Sequence, residues 1–301
     1  MSVARSPSRA LFVAVLLGCG VTWGITQPLG KFATATGHGP LGLVFWELAI
    51  AAILMGLALL ARRRRPVVTA PALRFALVVA LLGTILPGTT FFLAVARLPS
   101  GVMSILISAV PLLALPMAAA LGRDRITPLR VLGLMMGLGG VAVLAAPGAS
   151  LPDPRLAPWL LVALLGPLLY ATESNVVATL GTEGMDPVQA MFLVSVVGGA
   201  LMLPVAVASG QWVDPLAPWG TAEWAILAGS SIHALTYTAY IWLAARAGAT
   251  FASQCSYVVT VSGVLWAAAL LGERASPWLL LSLLLMLGGV ALVSPREPDA
   301  A

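Results

Sequence analysis

The sequence predicts an all-α polytopic membrane protein: ten transmembrane helices arranged as two inverted five-helix repeats, with both termini cytoplasmic. Three observations predict it. Hydrophobic residues make up 60% of the 301 and charged residues only 9%, far below the roughly 25% charged content of soluble domains, and the mean hydropathy is +1.00. Ten apolar runs are long enough to cross a hydrocarbon core as helices, which satisfy their own backbone hydrogen bonds where water is absent. Finally, Leu138 to Ala142 reads Leu-Gly-Gly-Val-Ala and so does Leu287 to Ala291; the Leu-Gly at 121–122 has its counterpart at 271–272. That self-similarity over about 150 residues marks a duplicated architecture.

The first repeat spans 1–147, with helices at about 10–29, 40–61, 74–96, 100–121 and 127–146. A linker at 148–156 follows, and the second repeat, 157–301, carries helices at about 157–178, 187–208, 222–244, 249–271 and 277–294. Five helices per repeat is an odd number, so the second copy enters the bilayer from the opposite side. Basic residues set the orientation. Arg5, Arg9, Arg62 to Arg65, Arg74, Arg123, Arg125, Arg130, Arg246 and Arg296 fall on one side; Lys31, Arg97, Arg155 and Arg274 fall on the other. The positive-inside rule makes the richer side cytoplasmic. The net charge of +5 is therefore a topology signal. No stacking aromatics or binding fold accompany the arginine run, which argues against nucleic acid. Little chain remains for a soluble catalytic module.

Helix one places Cys19, Trp23 and Gln27 on one face at steps of four. Gln27 would be penalised against lipid, so it faces either a polar interior or a neighbouring helix. Pro28 predicts a kink near the external end. Arg5 and Arg9 ahead of Leu16-Leu17-Gly18-Cys19 resemble a lipoprotein signal, but nine further spans need no such anchor. Cys19 and Cys255 both fall within spans, so no disulfide framework is implied.

Helix two carries Glu47 about two turns inside its outer end. An ionisable group at that depth marks a functional site by default, with an ion pair to Arg97 or Lys31 as the structural alternative. Helix three is interrupted at Pro87-Gly88. Helix four sets Gly101, Ser104, Ser108 and Pro111 on one small, polar face suited to close packing or to a solute. Gly133 and Gly137 in helix five have Gly-x-x-x-Gly spacing, which serves packing within one subunit or a dimer face.

The second repeat is more polar at depth. Helix six holds Tyr170, Thr172, Glu173, Ser174 and Asn175, a run expensive against lipid and therefore expected inside. His233, Tyr237 and Tyr240 in helix eight form one stripe of an imidazole and two phenols. Helix nine adds Gln254 and Tyr257 on one face and Ser256 and Thr260 on another.

The paired Leu-Gly-Gly-Val-Ala stretches, Gly272-Glu273-Arg274 after helix nine and Trp23-Gly24 in helix one resemble the drug/metabolite transporter superfamily of EamA-like ten-helix carriers. Within it the chain is similar to bacterial amino-acid and metabolite exporters, including those for aromatic amino acids. The resemblance implies a central cavity lined by helices one to four and six to nine, helices five and ten at the periphery, alternating access, and residence in the bacterial inner membrane as monomer or homodimer. Two departures stand out: Gly122 is followed by Arg123 and Asp124 where relatives often carry Gly-Glu, and Glu47 stands where many carry arginine.

The expected function is export of small amphipathic solutes, foremost amino acids with apolar or aromatic side chains. Trp23, Tyr170, Tyr237, Tyr240 and Tyr257 offer stacking surface. Gln27, Ser104, Ser108, Asn175, His233 and Gln254 offer hydrogen bonds to ammonium and carboxylate groups. Glu47, Glu173 and His233 are candidate proton or charge sites. No metal-ligand spacing and no cofactor motif is present, and no fixed cation lies deep in a span as phosphate-bearing cargo usually requires. Two other classes stay open: a lipid-linked flippase or cargo-free partner subunit of the same fold, and an intramembrane enzyme. The last is weakened by having only His38 and His233, with no His-Glu-x-x-His and no Gly-x-Ser-x-Gly.

Overall fold

The computed structural model describes residues 9–146, 151–247, 251–252 and 254–293. Among these there is helix and no strand. The N-terminal span is two helices, α1 (Arg9–Gly24) and α2 (Thr26–Thr34), broken at Ile25. Pro28 has no N–H to bond the Gly24 carbonyl and its ring crowds it, so the interruption falls one turn before the proline. Next come α3 (Pro40–Ala61), then α4 (Ala70–Ala80), which runs through a π-helical turn at Leu81–Ile85 into α5 (Leu86–Val95). Pro87 again cannot bond four residues back, and the π turn absorbs the mismatch. The fourth span is likewise split, into α6 (Ser100–Leu106) and α7 (Ala109–Ala120), just ahead of Pro111. Helices α8 (Pro128–Ala145), α9 (Ala157–Leu180), α10 (Pro187–Ala208), α11 (Thr221–Ala247), α12 (Cys255–Leu271) and α13 (Pro277–Val293) complete the described chain.

Among the described residues seven segments are long and apolar enough to cross a membrane: 9–34, 40–61, 70–95, 100–120, 128–145, 154–177 and 187–208. Helices α12 and α13 are apolar and shorter. Helix α11 has the length, 27 residues, but carries the polar His233–Tyr240 stripe.

The main helix pairings are symmetric under exchange of the halves. Helix α3 packs on α10, α8 on α13 and α6 on α12, each joining equivalent elements; α1 on α12 is answered by α9 on α7, α1 and α2 on α11 by α9 on α5, and α3 on α11 by α10 on α4. The α8–α13 pair meets backbone against backbone. A methyl on Gly133 would lie 2.7 Å from the Gly289 carbonyl oxygen, and one on Gly289 would lie 2.6 Å from that of Gly133. Ser282 also donates to the Gly140 carbonyl at 2.8 Å. The Gly-x-x-x-Gly face of α8 is thus spent inside the subunit, and the dimer-face alternative falls because the glycines are already covered.

Candidate functional site

Where α1 crosses α11, four aromatic side chains meet. The Trp23 indole sits edge-on to His233, Tyr237 and Tyr240, with ring centroids 5.7, 6.1 and 5.6 Å away. His233 and Tyr237 are one helical turn apart and stack at 6.2 Å with an interplanar angle of 6°. The i, i+4, i+7 spacing makes the second helix present all three rings, and Trp23 from the other half closes on them. Trp23 Nε1 donates to His233 Nδ1 at 3.2 Å, so the neutral imidazole carries its own hydrogen on Nε2. A hydroxyl pair on the same helices, Thr22 and Thr236 at 2.9 Å, fixes their rotation. All four aromatic residues keep partial exposure, which leaves ring surface open to a solute.

A carboxylate approaches this cluster from each half. Glu47 Oε1 lies 3.9 Å from His233 Nδ1. The structural alternative for Glu47 does not form: Lys31 instead donates to the Ala96 and Leu98 carbonyls at 3.3 and 3.0 Å, and the Arg97 guanidinium lies 3.9 Å over the Trp159 ring. From α9, Glu173 is within electrostatic reach of Tyr237, and Tyr170 is within electrostatic reach of both Glu47 and Glu173. The carboxylate of Glu173 rests on the π turn, where a methyl on Gly83 would stand 2.7 Å from its Cδ. Gly88 similarly floors Glu47, at 3.6 Å from Oε2. Both glycines belong to the site; the sequence marks Gly88 only as part of a helix break and Gly83 not at all, because glycine is common throughout membrane helices.

Other candidates lie apart from this cluster. Ser104 and Ser108 are fully buried, donating to the Ser100 and Ile105 carbonyls of their own span at 3.0 and 2.6 Å, and Ser104 fills the space left by Gly263 of α12. Their small polar face is a packing face. Asn175 bridges α9 to α7 by donating to the Ala171 and Ala114 carbonyls. Of the polar run expected inside, Ser174 is exposed and Thr172 bonds its own helix at Leu168, which satisfies its hydroxyl without an interior partner. Gln254 is exposed at the start of α12, and Tyr257 packs against the core formed by α6, α7, α13 and the start of α9. Gln27 is 8% exposed and its Oε1 has no hydrogen-bond partner. Among the described residues no group of three or more His, Cys, Asp or Glu is placed to hold a metal ion.

A model of the EamA-like transporter family matches residues 10–146 and again 157–294, one copy on each half. The uncharacterized protein PA1977 of Pseudomonas aeruginosa is 31% identical over 217 residues, covering 70% of this chain and 71% of its own. One solved crystal structure of a protein is similar in fold, with a TM-score of 0.63 and 21% identity over 95% of this chain and 99% of the other. The chain belongs to the EamA-like transporter family and is a multi-pass membrane transporter of the drug/metabolite superfamily.

Proposed function

We propose that the protein exports small amphipathic solutes, foremost amino acids with aromatic or apolar side chains, by alternating access between two oppositely threaded five-helix halves with cytoplasmic termini. The reading is supported by one observation above all: open aromatic surface from both halves converges on Trp23, Tyr237 and Tyr240, with Glu47 and Glu173 at its edge. Rings bind the apolar part of such a solute and a carboxylate receives its ammonium group. Gln27, a buried amide with an unused acceptor, offers a further hydrogen bond. The catalogue of binding residues is accordingly Trp23, Gln27, Tyr170, His233, Tyr237 and Tyr240. Residence in the inner membrane, as monomer or homodimer, belongs to the same proposal.

His233 supplies a route to proton coupling. While neutral it accepts from Trp23 at Nδ1; a second proton occupies that nitrogen, removes the acceptor from the indole and favours Glu47. Protonation therefore exchanges a contact with α1 for one with α3. Counterflow in proteoliposomes across a panel of amino acids and metabolites tests the solute class. Trp23→Ala and Tyr237→Ala should each cut transport about tenfold, the loss of one well-formed ring contact; unchanged transport in both refutes it. Solute efflux with no accompanying proton movement removes the coupled version alone.

A further inference from the structure

Helices α1, α3, α10 and α11 leave a lipid-facing groove of about 420 Å3 at the end of the molecule that carries Arg62. Val15, Met55, Leu235 and Ala239 wall it, and Arg62 and Trp242 also belong to its lining. Leu235 remains 57% exposed at its rim, so the groove opens toward acyl chains. Trp23, His233, Tyr237 and Tyr240 do not line it, although Val15, Ala239 and Trp242 pack in one apolar cluster with Trp23 and Tyr240. Two positive charges stand beside it: Arg62 in its lining, and Arg246, whose guanidinium lies 4.8 Å over the ring of the lining Trp242. Among the described residues neither forms a salt bridge. Arg63, Arg64 and Arg65 follow Arg62 directly. The turn is shaped to hold them there, with Arg63 in the left-handed region at φ 53 and Arg64 N–H bonded to the Leu59 carbonyl at 3.0 Å.

We infer that this groove binds one anionic phospholipid from the leaflet on the Arg62 side, an acyl chain lying along the α1–α11 wall and the phosphate group against Arg62 and Arg246. The match is one of shape and charge together. A hydrocarbon chain fits an apolar channel open to the bilayer, and guanidinium groups at the headgroup level attract a net negative lipid. A zwitterionic headgroup brings its own cation to the same place and gains less.

Native mass spectrometry on the delipidated full-length protein tests it, titrating phosphatidylglycerol and phosphatidylcholine of identical acyl chains. One phosphatidylglycerol should bind about thirtyfold more tightly than phosphatidylcholine, the attraction expected from two surface arginines. Arg62→Gln should cut that preference about fivefold and Arg62→Gln together with Arg246→Gln should abolish it, while Arg125→Gln, an exposed loop arginine outside the groove, should preserve it. Ala239→Trp should expel both lipids; Ala58→Phe plugs the opposite wall and serves if the first variant does not fold. Equal affinity for the two lipids, loss of preference in Arg125→Gln to the same degree, or undiminished binding in a folded plugged variant overturns the inference. None of these outcomes bears on the solute reading, whose residues lie outside the groove.

Discussion

The loops that leave α7 and α12 occupy equivalent places in the two halves, yet one ends in an acceptor and the other in a donor. After α12, both oxygens of Glu273 receive backbone N–H groups at the start of α6, Ser100 at 2.7 Å and Gly101 at 2.9 Å. These are orphan donors of a helix N-terminus, and an anion is what that terminus favours. After α7, position 123 is arginine, which cannot cap an N-terminus; it donates instead to the Asn175 carbonyl of α9 at 3.2 Å. The main helix pairings are shared by the two halves, whereas the charged fastenings at their ends are not. The two ends are therefore fastened unequally, one by a charge-assisted double hydrogen bond and the other by a single exposed one.

Substitutions can separate the shared framework from the unshared fastenings. The largest effect is expected at the α8–α13 contact, where neither backbone can give way. Gly133→Val and Gly289→Val should each cost about 3 kcal/mol or more through overpacking, and by similar amounts, because each glycine faces the other's carbonyl; a difference above about 1 kcal/mol in denaturant or thermal unfolding would break the equivalence. Next comes the Glu273 cap. Glu273→Ala leaves the Ser100 N–H, in a fully buried residue, without a partner and should cost about 1.5–3 kcal/mol, while Arg123→Ala should cost under about 1 kcal/mol, read by the same thermal melts. In transport assays the former should also unbalance inward against outward access.

The smallest effect concerns Asp124, in the loop beside Arg123. Its partial burial raises the carboxyl, but hydrogen bonds from Arg130 and the Arg125 N–H, together with the Arg130 charge, outweigh that and hold it below the ordinary carboxylate range. A depressed carboxyl stabilises the folded state above its unfolded value, near 3.8, and that contribution disappears as pH falls through the still lower folded value. Asp124→Asn should therefore cost about 0.5 kcal/mol at neutral pH and nothing at the acid limit of the melt.

Fold class was legible in the sequence to the level of a helical membrane protein with a twofold repeat, because hydropathy and the recurring Leu-Gly-Gly-Val-Ala act locally. Ring-bearing stripes were legible too: His233, Tyr237 and Tyr240 share a face by spacing alone, and the indole at 23 could be placed on a polar-leaning side of its own helix. What spacing cannot supply is the partner. Ser104 and Gly263 interlock because one surrenders the volume the other fills, and nothing near either residue announces it. Glu273 reads as a loop charge until its two donors, more than 170 residues earlier, fold against it. The interruption at Ile107–Ser108 depends on Pro111, which had been placed on a face instead of being read as a helix breaker.

The π turn at Leu81–Ile85 inserts one residue without adding a helical revolution, and so acts as a phase shifter. Each residue of a regular helix advances the facing by about 100°. The turn therefore rotates the buried side of α4, with Ala72, Phe75, Ala76 and Val79, away from where α5 alone would carry it. One continuous span can in this way press its first portion on α10 and its second on α9, and deleting a single residue there would set those two allegiances against each other.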